Sequence, residues 1–411
     1  MKLKNILIFC ITVLLGGCNI ANKSDYGVSE VIKVDPSEAE ECVNLSEIAD
    51  SVVCIKLQTD SSDVIGKVRE IIIREKYIYA QDVLQQSVFV FDKNGEFISK
   101  LAKRGDGPDE YAWMGPIYID EKELYIDVMD KGKVPSLLKR YTIPDFQLVH
   151  ESSIVNVSCN SSRRKDSFYY FATQQIDNVI NDRKTNAGLI AWDDRLQQVK
   201  CFFDKEIETN HSSFCPNIES FTQNRRGELF LSMMYDHTFY QIEKDRIIPV
   251  YTVDFGNYNI DNSVGDMSLE KQLDYIKGKS QRVFFPVLTM NDENMMAFSY
   301  YFKKESDRFF REGDFRQYIK FKNSDKVIHT EKIKNDLTSF PSHLFVSSYW
   351  GDCAHEVWYN DYLVDIVLPS SYFKEGDIDR VSVEGVGEIT IEDNPVIIII
   401  KLKKELFNIL T

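Results

Sequence analysis

Alternating apolar and polar positions, interrupted by short turns, recur along most of the chain and predict a protein built of β-strands. Residues 87–91 are apolar and β-prone, residues 92–95 read Asp-Lys-Asn-Gly, and the alternation resumes over residues 96–101. This pattern predicts a β-hairpin, because Gly95 can adopt the positive φ that a tight turn requires.

Comparable hairpins return at a nearly constant spacing. Their turns lie near residues 94, 144, 193 and 244, which gives steps of 50, 49 and 51 residues. A second pair of strands precedes each hairpin, as at residues 117–119 and 124–126. Four strands in each period of this length are typical of the four-stranded antiparallel blades of a β-propeller.

The regular spacing is interrupted once, because the next turn, at residues 324–325, comes 80 residues later. The extra length contains a segment in which Ser268 can begin a helix and Gly278 can end it, and the apolar residues 269, 273 and 276 share one face. We therefore predict a short helical insertion, at about residues 266–279, between blades four and five. We expect its apolar face to pack on the propeller.

Closure of the ring is predicted from two strands that have no hairpin partner nearby. Residues 394–401 are almost all β-branched, as in a strand buried on both faces, and residues 52–57 form an isolated early strand. Pairing between them would join the two ends of the chain in one blade and remove an open sheet edge. The count is then six blades over residues 51–411. Seven blades is the alternative, if residues 362–384 contain a further blade.

The N-terminus has the pattern of a bacterial lipoprotein signal peptide over residues 1–17. Lys2 and Lys4 precede ten apolar residues, 6–15, and two glycines lead into Cys18. We predict that Cys18 carries the lipid; the alternative is an ordinary cleaved signal peptide with a cysteine nearby. Residues 18–50 are polar and acidic and predict a flexible tether. Such a tether would let the propeller turn either face to its surroundings.

Composition and charge exclude several classes of protein. A hydrophobic content of 43% with 12% aromatic residues is typical of a globular fold and argues against extended disorder. The formal charge of −15 becomes −17 when residues 1–17, with their two lysines and no acid, are removed. We therefore expect no nucleic-acid partner. No apolar run after the signal peptide is long enough for a transmembrane helix, so the expected contact with the membrane is the lipid anchor.

Six cysteines remain besides Cys10 and Cys18, and none has the spacing of a redox or zinc motif. Disulfides between residues 42 and 54 and between residues 201 and 215 are possible in an oxidising compartment. We favour buried free thiols, because Cys54 and Cys201 lie among apolar neighbours.

No catalytic or metal-binding motif is evident. None of the histidines, at residues 150, 211, 237, 329, 343 and 355, is paired at metal-ligand spacing, and no Gly-x-Ser-x-Gly sequence occurs. Enzymatic propellers commonly place carboxylates around the axis, where a metal such as calcium can bind. The candidates at blade entries for such an axial site are Glu110, Asp236, Asp292 and Asp352. We assign no catalytic residue and predict no cofactor; calcium at the axis is the alternative.

Three sequence stretches resemble the six-bladed β-propeller lipoproteins of Bacteroidetes, relatives of NHL-type and TolB-like propellers. They are residues 91–111, with Lys-Arg-Gly-Asp-Gly-Pro-Asp-Glu-Tyr at the end, residues 235–256, and residues 393–395 before the last strand. The resemblance covers about residues 45–402 and implies a fold and a compartment, not a chemistry. Two features depart from it, namely the helical insertion and the polar stretch of residues 156–164. Pro108 and the two glycines before it predict a tight crossover between blades rather than a phosphate site.

The resemblance implies a cell-envelope protein, anchored in the outer membrane. Residues 19–23 lack the acidic cluster that surface-exported lipoproteins of these bacteria carry after the cysteine, which favours the periplasmic face. We expect a non-enzymatic binding or scaffold module for a glycan, a peptide or an envelope protein. The alternative is a metal-dependent hydrolase or lyase with its site at the propeller axis.

Overall fold

The computed structural model is a β-propeller of six antiparallel four-stranded sheets, as the sequence predicts. It describes residues 29–407 except for short stretches within that range. The stretches left out are residues 60–63, 121, 123, 133–135, 205–218, 245, 279–280, 305–313, 325, 339, 341–353, 356–357, 360–361, 370–372, 374–379 and 385.

The blades follow one another along the chain, and each runs from its inner to its outer strand. The bounds of the strands, blade by blade, are Val68–Ile73, Ile78–Asp82, Ser87–Phe91 and Phe97–Leu101; Met114–Asp120, Tyr125–Asp130, Ser136–Thr142 and Leu148–Ile154; Ser161–Lys165, Phe168–Ala172, Leu189–Asp193 and Gln198–Phe202; Phe221–Gln223, Leu229–Ser232, Thr238–Glu243 and Arg246–Asp254; Arg282–Asn291, Met295–Lys303, Phe315–Phe321 and Val327–Thr330; Trp358–Tyr359, Tyr362–Val367, Val396–Leu402 and Ala49–Lys56.

Burial differs between the middle and the outer strands of a blade. All residues of Ile78–Asp82 and Ser87–Phe91 are buried, because neighbouring blades cover both faces of these strands. The outer strand Leu148–Ile154 is mostly exposed. The predicted turn between the third and outer strands of blade 1 is confirmed: Gly95 has a φ of 87°, and the Asp92 side chain accepts hydrogen bonds from two backbone amides of the turn.

Blade 6 closes the ring as predicted and fixes the number of blades at six. Val396–Leu402 pairs antiparallel with Tyr362–Val367 on one side and with the early strand Ala49–Lys56 on the other. The described part of residues 362–384 supplies the second strand of this blade and the first strand of a small hairpin, Arg380–Val383 with Gly387–Thr390, rather than a seventh blade.

Two faces of the propeller are distinguished by their connections. The hairpin face carries the turns between first and second strands and between third and fourth strands. The crossover face carries the loops between second and third strands and the loops from one blade to the next. The longer insertions lie on the crossover face, because they interrupt these two kinds of loop. They include the hairpin Asn178–Ile180 with Arg183–Thr185 and helix α1, Leu269–Lys277, which confirms the predicted helical insertion.

The N-terminal segment, residues 29–48, is part of the fold. Glu30–Lys33 pairs in parallel with the outer strand of blade 4, and Val43–Asn44 pairs in parallel with Ile333–Lys334 after blade 5. Its apolar residues Val43 and Leu45 are buried. The prediction of a flexible tether over residues 18–50 is therefore wrong for residues 29–50, because this short apolar series covers sheet edges that the blades leave open. Residues 18–28, with Cys18, lie outside the described residues.

Short elements complete the described structure. The 3-10 helices are Pro36–Glu38, Leu45–Glu47, Gly256–Tyr258, Asn262–Asp266 and Lys404–Phe407, and Ala354–His355 adds a short strand to blade 1.

Cys42, Cys54 and Cys159 are free thiols, so the first disulfide that the spacing suggested is absent, whereas Cys215 of the second lies outside the described residues. Among the helices of the described residues, none has the length and apolar character to span a bilayer.

Candidate functional site

Of the four acidic residues proposed for the propeller axis, the three that the structure describes lie in separate loops. Glu110 and Asp236 lie in loops of the crossover face, in different blades, whereas Asp292 lies in the first turn of blade 5 on the hairpin face. Asp352 lies outside the described residues. Among the three described residues, no hydrogen bond or ion pair joins any two of them.

Each of the three described carboxylates stabilises its own loop. Glu110 accepts a hydrogen bond from the backbone nitrogen of Gly107 at 2.7 Å, and a Cβ on Gly105 would lie 1.9 Å from its Oε2. Asp236 accepts from the Thr238 backbone nitrogen and the Tyr240 hydroxyl, and Asp292 accepts from two backbone nitrogens of its turn. The Gly-Asp-Gly-Pro crossover is thus confirmed as structural, and its glycines are needed for close approach to Glu110 rather than for positive φ.

Buried carboxylates elsewhere have the same structural use. Asp82 and Asp130, at the ends of second strands, accept hydrogen bonds from Gly66 and Trp113 on the segments that enter the inner strands. Within the described residues, no group of three or more His, Cys, Asp or Glu side chains is arranged to hold a metal ion.

A cavity of about 500 Å³ lies at the propeller axis. Its walls come from the inner strands of blades 1, 2 and 3 and from Gln223 at the end of the inner strand of blade 4. Turn residues of the hairpin face, Arg74, Lys122 and Asp166, are also part of the lining. The axial cavity therefore extends to the hairpin face.

An ion-pair cluster that joins three blades borders the axial cavity through two lining residues, Glu70 and Arg163. Nη2 of Arg163, on the inner strand of blade 3, lies 2.9 Å from Glu70 Oε1 on the inner strand of blade 1. The same nitrogen lies 2.9 Å from Glu219 Oε2, two residues before the inner strand of blade 4. Because each of these side chains has a partner in another blade, their positions are fixed before any ligand arrives.

Within the ion-pair cluster, Glu219 has a shifted pKa. Burial raises the pKa of its carboxyl above the usual range, Arg163 opposes this rise, and the negative charge of Glu70 adds to it. Glu70 and Glu219 thus share the guanidinium of Arg163.

A second network fixes the wall between blades 2 and 3. Asp127, almost fully buried, accepts two hydrogen bonds from Arg140, at 2.7 and 2.8 Å, and one from Arg164 at 3.0 Å. Arg164 lines the axial cavity and also lies 3.8 Å from Asp120. The buried ring of Tyr118 is also part of this wall. Its hydroxyl donates a hydrogen bond to Ser162, and burial raises the pKa of Tyr118.

The sequence analysis did not identify the residues of the axial cavity. The polar stretch of residues 156–164, interpreted as an irregularity of blade 3, ends in the inner strand Ser161–Lys165 and supplies Arg163 and Arg164. Three consecutive basic residues on a strand are a usable signal, because a strand that carries charge on both faces must border solvent or a channel.

Comparisons with known proteins define the class. A family model described as a domain of unknown function, DUF4934, matches residues 29–401, and the chain belongs to this family. A Bacteroides fragilis protein whose name describes it as exported has a similar structure, with a TM-score of 0.59 and 15% identity; the match covers 91% of this chain and 100% of that one. A DUF4221 family member from Bacteroides vulgatus matches with a TM-score of 0.52 and 14% identity, over 86% and 97% of the two chains. The comparison with curated proteins gives no match.

Proposed function

We propose that this chain is a lipid-anchored binding module of the cell envelope that takes up a polar ligand in the axial cavity. The ligand would be the end of a glycan or peptide, or a segment of an envelope protein. The observation that carries this proposal is the axial cavity itself, because about 500 Å³ is in the size range of small-ligand sites.

The lining of the axial cavity favours binding over catalysis. Its polar groups are arginines, a lysine, carboxylates and an amide, and Arg163 and Arg164 are held by ion pairs with neighbouring blades. No histidine, cysteine or serine occurs among the described residues that line it. Preformed polar groups of this kind can orient a ligand at low entropic cost.

The role of the axial cavity can be tested by blocking its mouth. Gln223 is exposed there, so Gln223→Trp should fill the opening without disturbing the core. Gln198→Trp, on the exposed outer strand of blade 3, is the matched control. We expect glycan-array and peptide-library screens of the purified protein to find a ligand whose binding is lost in Gln223→Trp and kept in Gln198→Trp.

The screens can also contradict the proposal. Ligands that bind both tryptophan variants as tightly as the unmodified protein would place the site elsewhere. The metal-dependent hydrolase or lyase predicts stoichiometric calcium or zinc in the purified protein and turnover of an envelope substrate. Both results together would contradict the binding module and support the enzyme.

The lipid anchor is a separate part of the proposal. Support comes from the lipoprotein pattern of residues 1–18 and from a structural relative whose name describes it as exported. Periplasmic orientation on the outer membrane is proposed from the lack of acids in residues 19–23. Cys18→Ala should leave the protein unprocessed or release it from membranes in cell fractionation. Unchanged processing, with membrane association still released only by detergent, would contradict the lipid anchor.

A further inference from the structure

Consecutive residues of one inner strand line the axial cavity. They are Ile117, Tyr118, Ile119 and Asp120 of blade 2. Successive side chains of a strand point to opposite faces. Accordingly, Ile117 packs with strands of blade 1, whereas the Tyr118 hydroxyl is bonded to Ser162 of blade 3. Because residues of both faces line it, the axial cavity meets this strand at its edge, where the backbone is accessible.

The pairing within blade 2 shows which backbone groups lie on this edge. The nitrogen of Ile143 donates to the oxygen of Leu124 at 2.8 Å, in the register of the second and third strands. Because hydrogen-bonded pairs alternate along an antiparallel ladder, the even-numbered residues of the second strand bond the third strand, and the odd-numbered ones bond the inner strand. Tyr118 lies opposite an odd-numbered residue. Its neighbours Ile117 and Ile119 therefore direct their N–H and C=O groups into the axial cavity.

The edge formed by Ile117 and Ile119 is open. The inner strand of blade 2 is the last of its sheet, and no other described residue hydrogen-bonds to the backbone of either isoleucine on the side of the cavity. Such alternating donors and acceptors are the groups to which an extended peptide adds as a further strand. At about 3.3 Å per residue, the lining residues 117–120 can pair with about four residues of a peptide.

Blade 1 shows strand addition at the same kind of edge. The short strand Ala354–His355 lies parallel to the inner strand of blade 1, with Ala354 opposite Glu70 and His355 opposite Ile71. The axial edge of an inner strand in this propeller can therefore accept an added strand. On blade 2, no described segment of the chain occupies the corresponding position.

The side chains that line the axial cavity do not favour a ligand of one charge. The four basic residues Arg74, Lys122, Arg163 and Arg164 are matched by the four acidic residues Glu70, Glu75, Asp120 and Asp166. The backbone edge, in contrast, favours one class of ligand, because amide N–H and C=O groups alternate regularly in a peptide and not in a glycan.

On the basis of the proposed function, we infer that the axial cavity binds an extended peptide segment, which adds as a fifth strand to the inner edge of blade 2. The backbone of the peptide exchanges hydrogen bonds with Ile117 and Ile119. Its side chains alternate between the walls that blades 1 and 3 contribute to the axial cavity.

Ester substitution in a bound peptide tests this inference from the side of the ligand. A library of hexapeptides with acetylated and amidated ends, screened with the purified protein, supplies the probe. In the tightest-binding hexapeptide, each amide in turn is replaced by an ester, which removes one N–H donor. Fluorescence polarisation should show binding weakened roughly 10-fold at every second position and by less than about 2-fold at the positions between, because alternate amides face blade 2. Tighter binding of hexapeptides with free ends would identify a chain end, rather than an internal segment, as the natural ligand.

Proline variants test the inference from the side of the protein. Ile119→Pro removes an N–H group that faces the cavity and leaves the pairing with the second strand intact. Ile98→Pro is the matched control, because Ile98 is exposed and unpaired at the bulge in the outer strand of blade 1. We expect Ile119→Pro to weaken hexapeptide binding roughly 10-fold and Ile98→Pro to leave it unchanged. If near-UV circular dichroism shows that Ile119→Pro does not fold, the ester series decides.

Several results would overturn the inference. Ester effects without a two-residue alternation, or equal weakening by the two proline variants, would exclude strand addition. Hexapeptide binding that persists in Gln223→Trp would place the peptide outside the axial cavity. A glycan whose binding is lost in Gln223→Trp, with no hexapeptide bound, would contradict the inference and leave the proposed binding module intact.

Discussion

The axis and the outer rim of the propeller are held together by different interactions. At the rim, the N-terminal segment covers blades 4 and 5 with backbone pairing and with buried apolar side chains such as Val43 and Leu45. At the axis, Arg163 joins Glu70 and Glu219 across blades. Apolar burial stabilises directly, whereas ion pairs lose much of their attraction to desolvation. The comparison indicates that apolar burial at the rim supplies more stability than the ion pairs beside the axial cavity.

The largest effect is expected at the rim. Leu45 is fully buried in a cluster with strands of blades 5 and 6, so Leu45→Ala should lower the free energy of unfolding by about 3 kcal/mol. Val53→Ala, on the outer strand of blade 6 with 58% of Val53 exposed, should change it by less than about 0.5 kcal/mol. Urea unfolding measures both. Equal stabilities of the two variants would mean that residues 29–48 are a tether after all.

An intermediate effect depends on pH. Nε2 of His329 is hydrogen-bonded to the Tyr300 hydroxyl at 2.6 Å, and burial lowers the pKa of His329 to about 4. The folded pKa lies below the usual 6.5, so His329 adds stability above pH 6.5 that is lost as the pH falls through 4. At 1.36 kcal/mol per pKa unit this shift corresponds to about 3.4 kcal/mol, and solvent screening of the part-buried ring lowers the expected loss to about 2–3 kcal/mol. His329→Gln keeps an acceptor and should remove this part of the acid destabilisation. If the free energies of unfolding of the variant and the unmodified protein fall in parallel between pH 7 and pH 4, this prediction is contradicted.

The smallest effect is expected at the axis, with the opposite sign. Because the pKa of Glu219 is raised above its ordinary value of 4.5, its contribution to stability falls as the pH rises through and above that value. Glu219→Gln should therefore be as stable as the unmodified protein at pH 7, or more stable by up to about 1 kcal/mol. Thermal unfolding at pH 7 and pH 4 measures the difference. A large loss of stability at pH 7 would show that the axial cluster, like the rim, holds the blades together.

Local patterns predicted the blades because hairpins are local structures. Asp92 to Gly95 form a turn within four residues, and the β-branched run of Val396–Leu402 identifies a buried strand without reference to its partners. The six-bladed count followed from these patterns and from the need to close the ring.

Features that depend on distant partners were not predicted. The strand Glu30–Lys33 has one buried residue and owes its structure to the outer strand of blade 4, more than 200 residues away. Arg163 likewise meets Glu70 and Glu219 only because the ring brings three blades to one axis. Of the carboxylates chosen from blade entries, the three that the structure describes accept hydrogen bonds within their own loops, which a sequence pattern does not show.

The docking of the N-terminal segment has a consequence for orientation at the membrane. If lipid is attached at Cys18, only ten residues lie between it and Ser29, which contacts Thr252 on the outer strand of blade 4. Such a span reaches about 40 Å at most, less than half of what a tether to residue 50 would allow. The propeller would then be tethered by its rim, at the outer strand of blade 4, and the length of this tether would limit how far the axial cavity can lie from the bilayer.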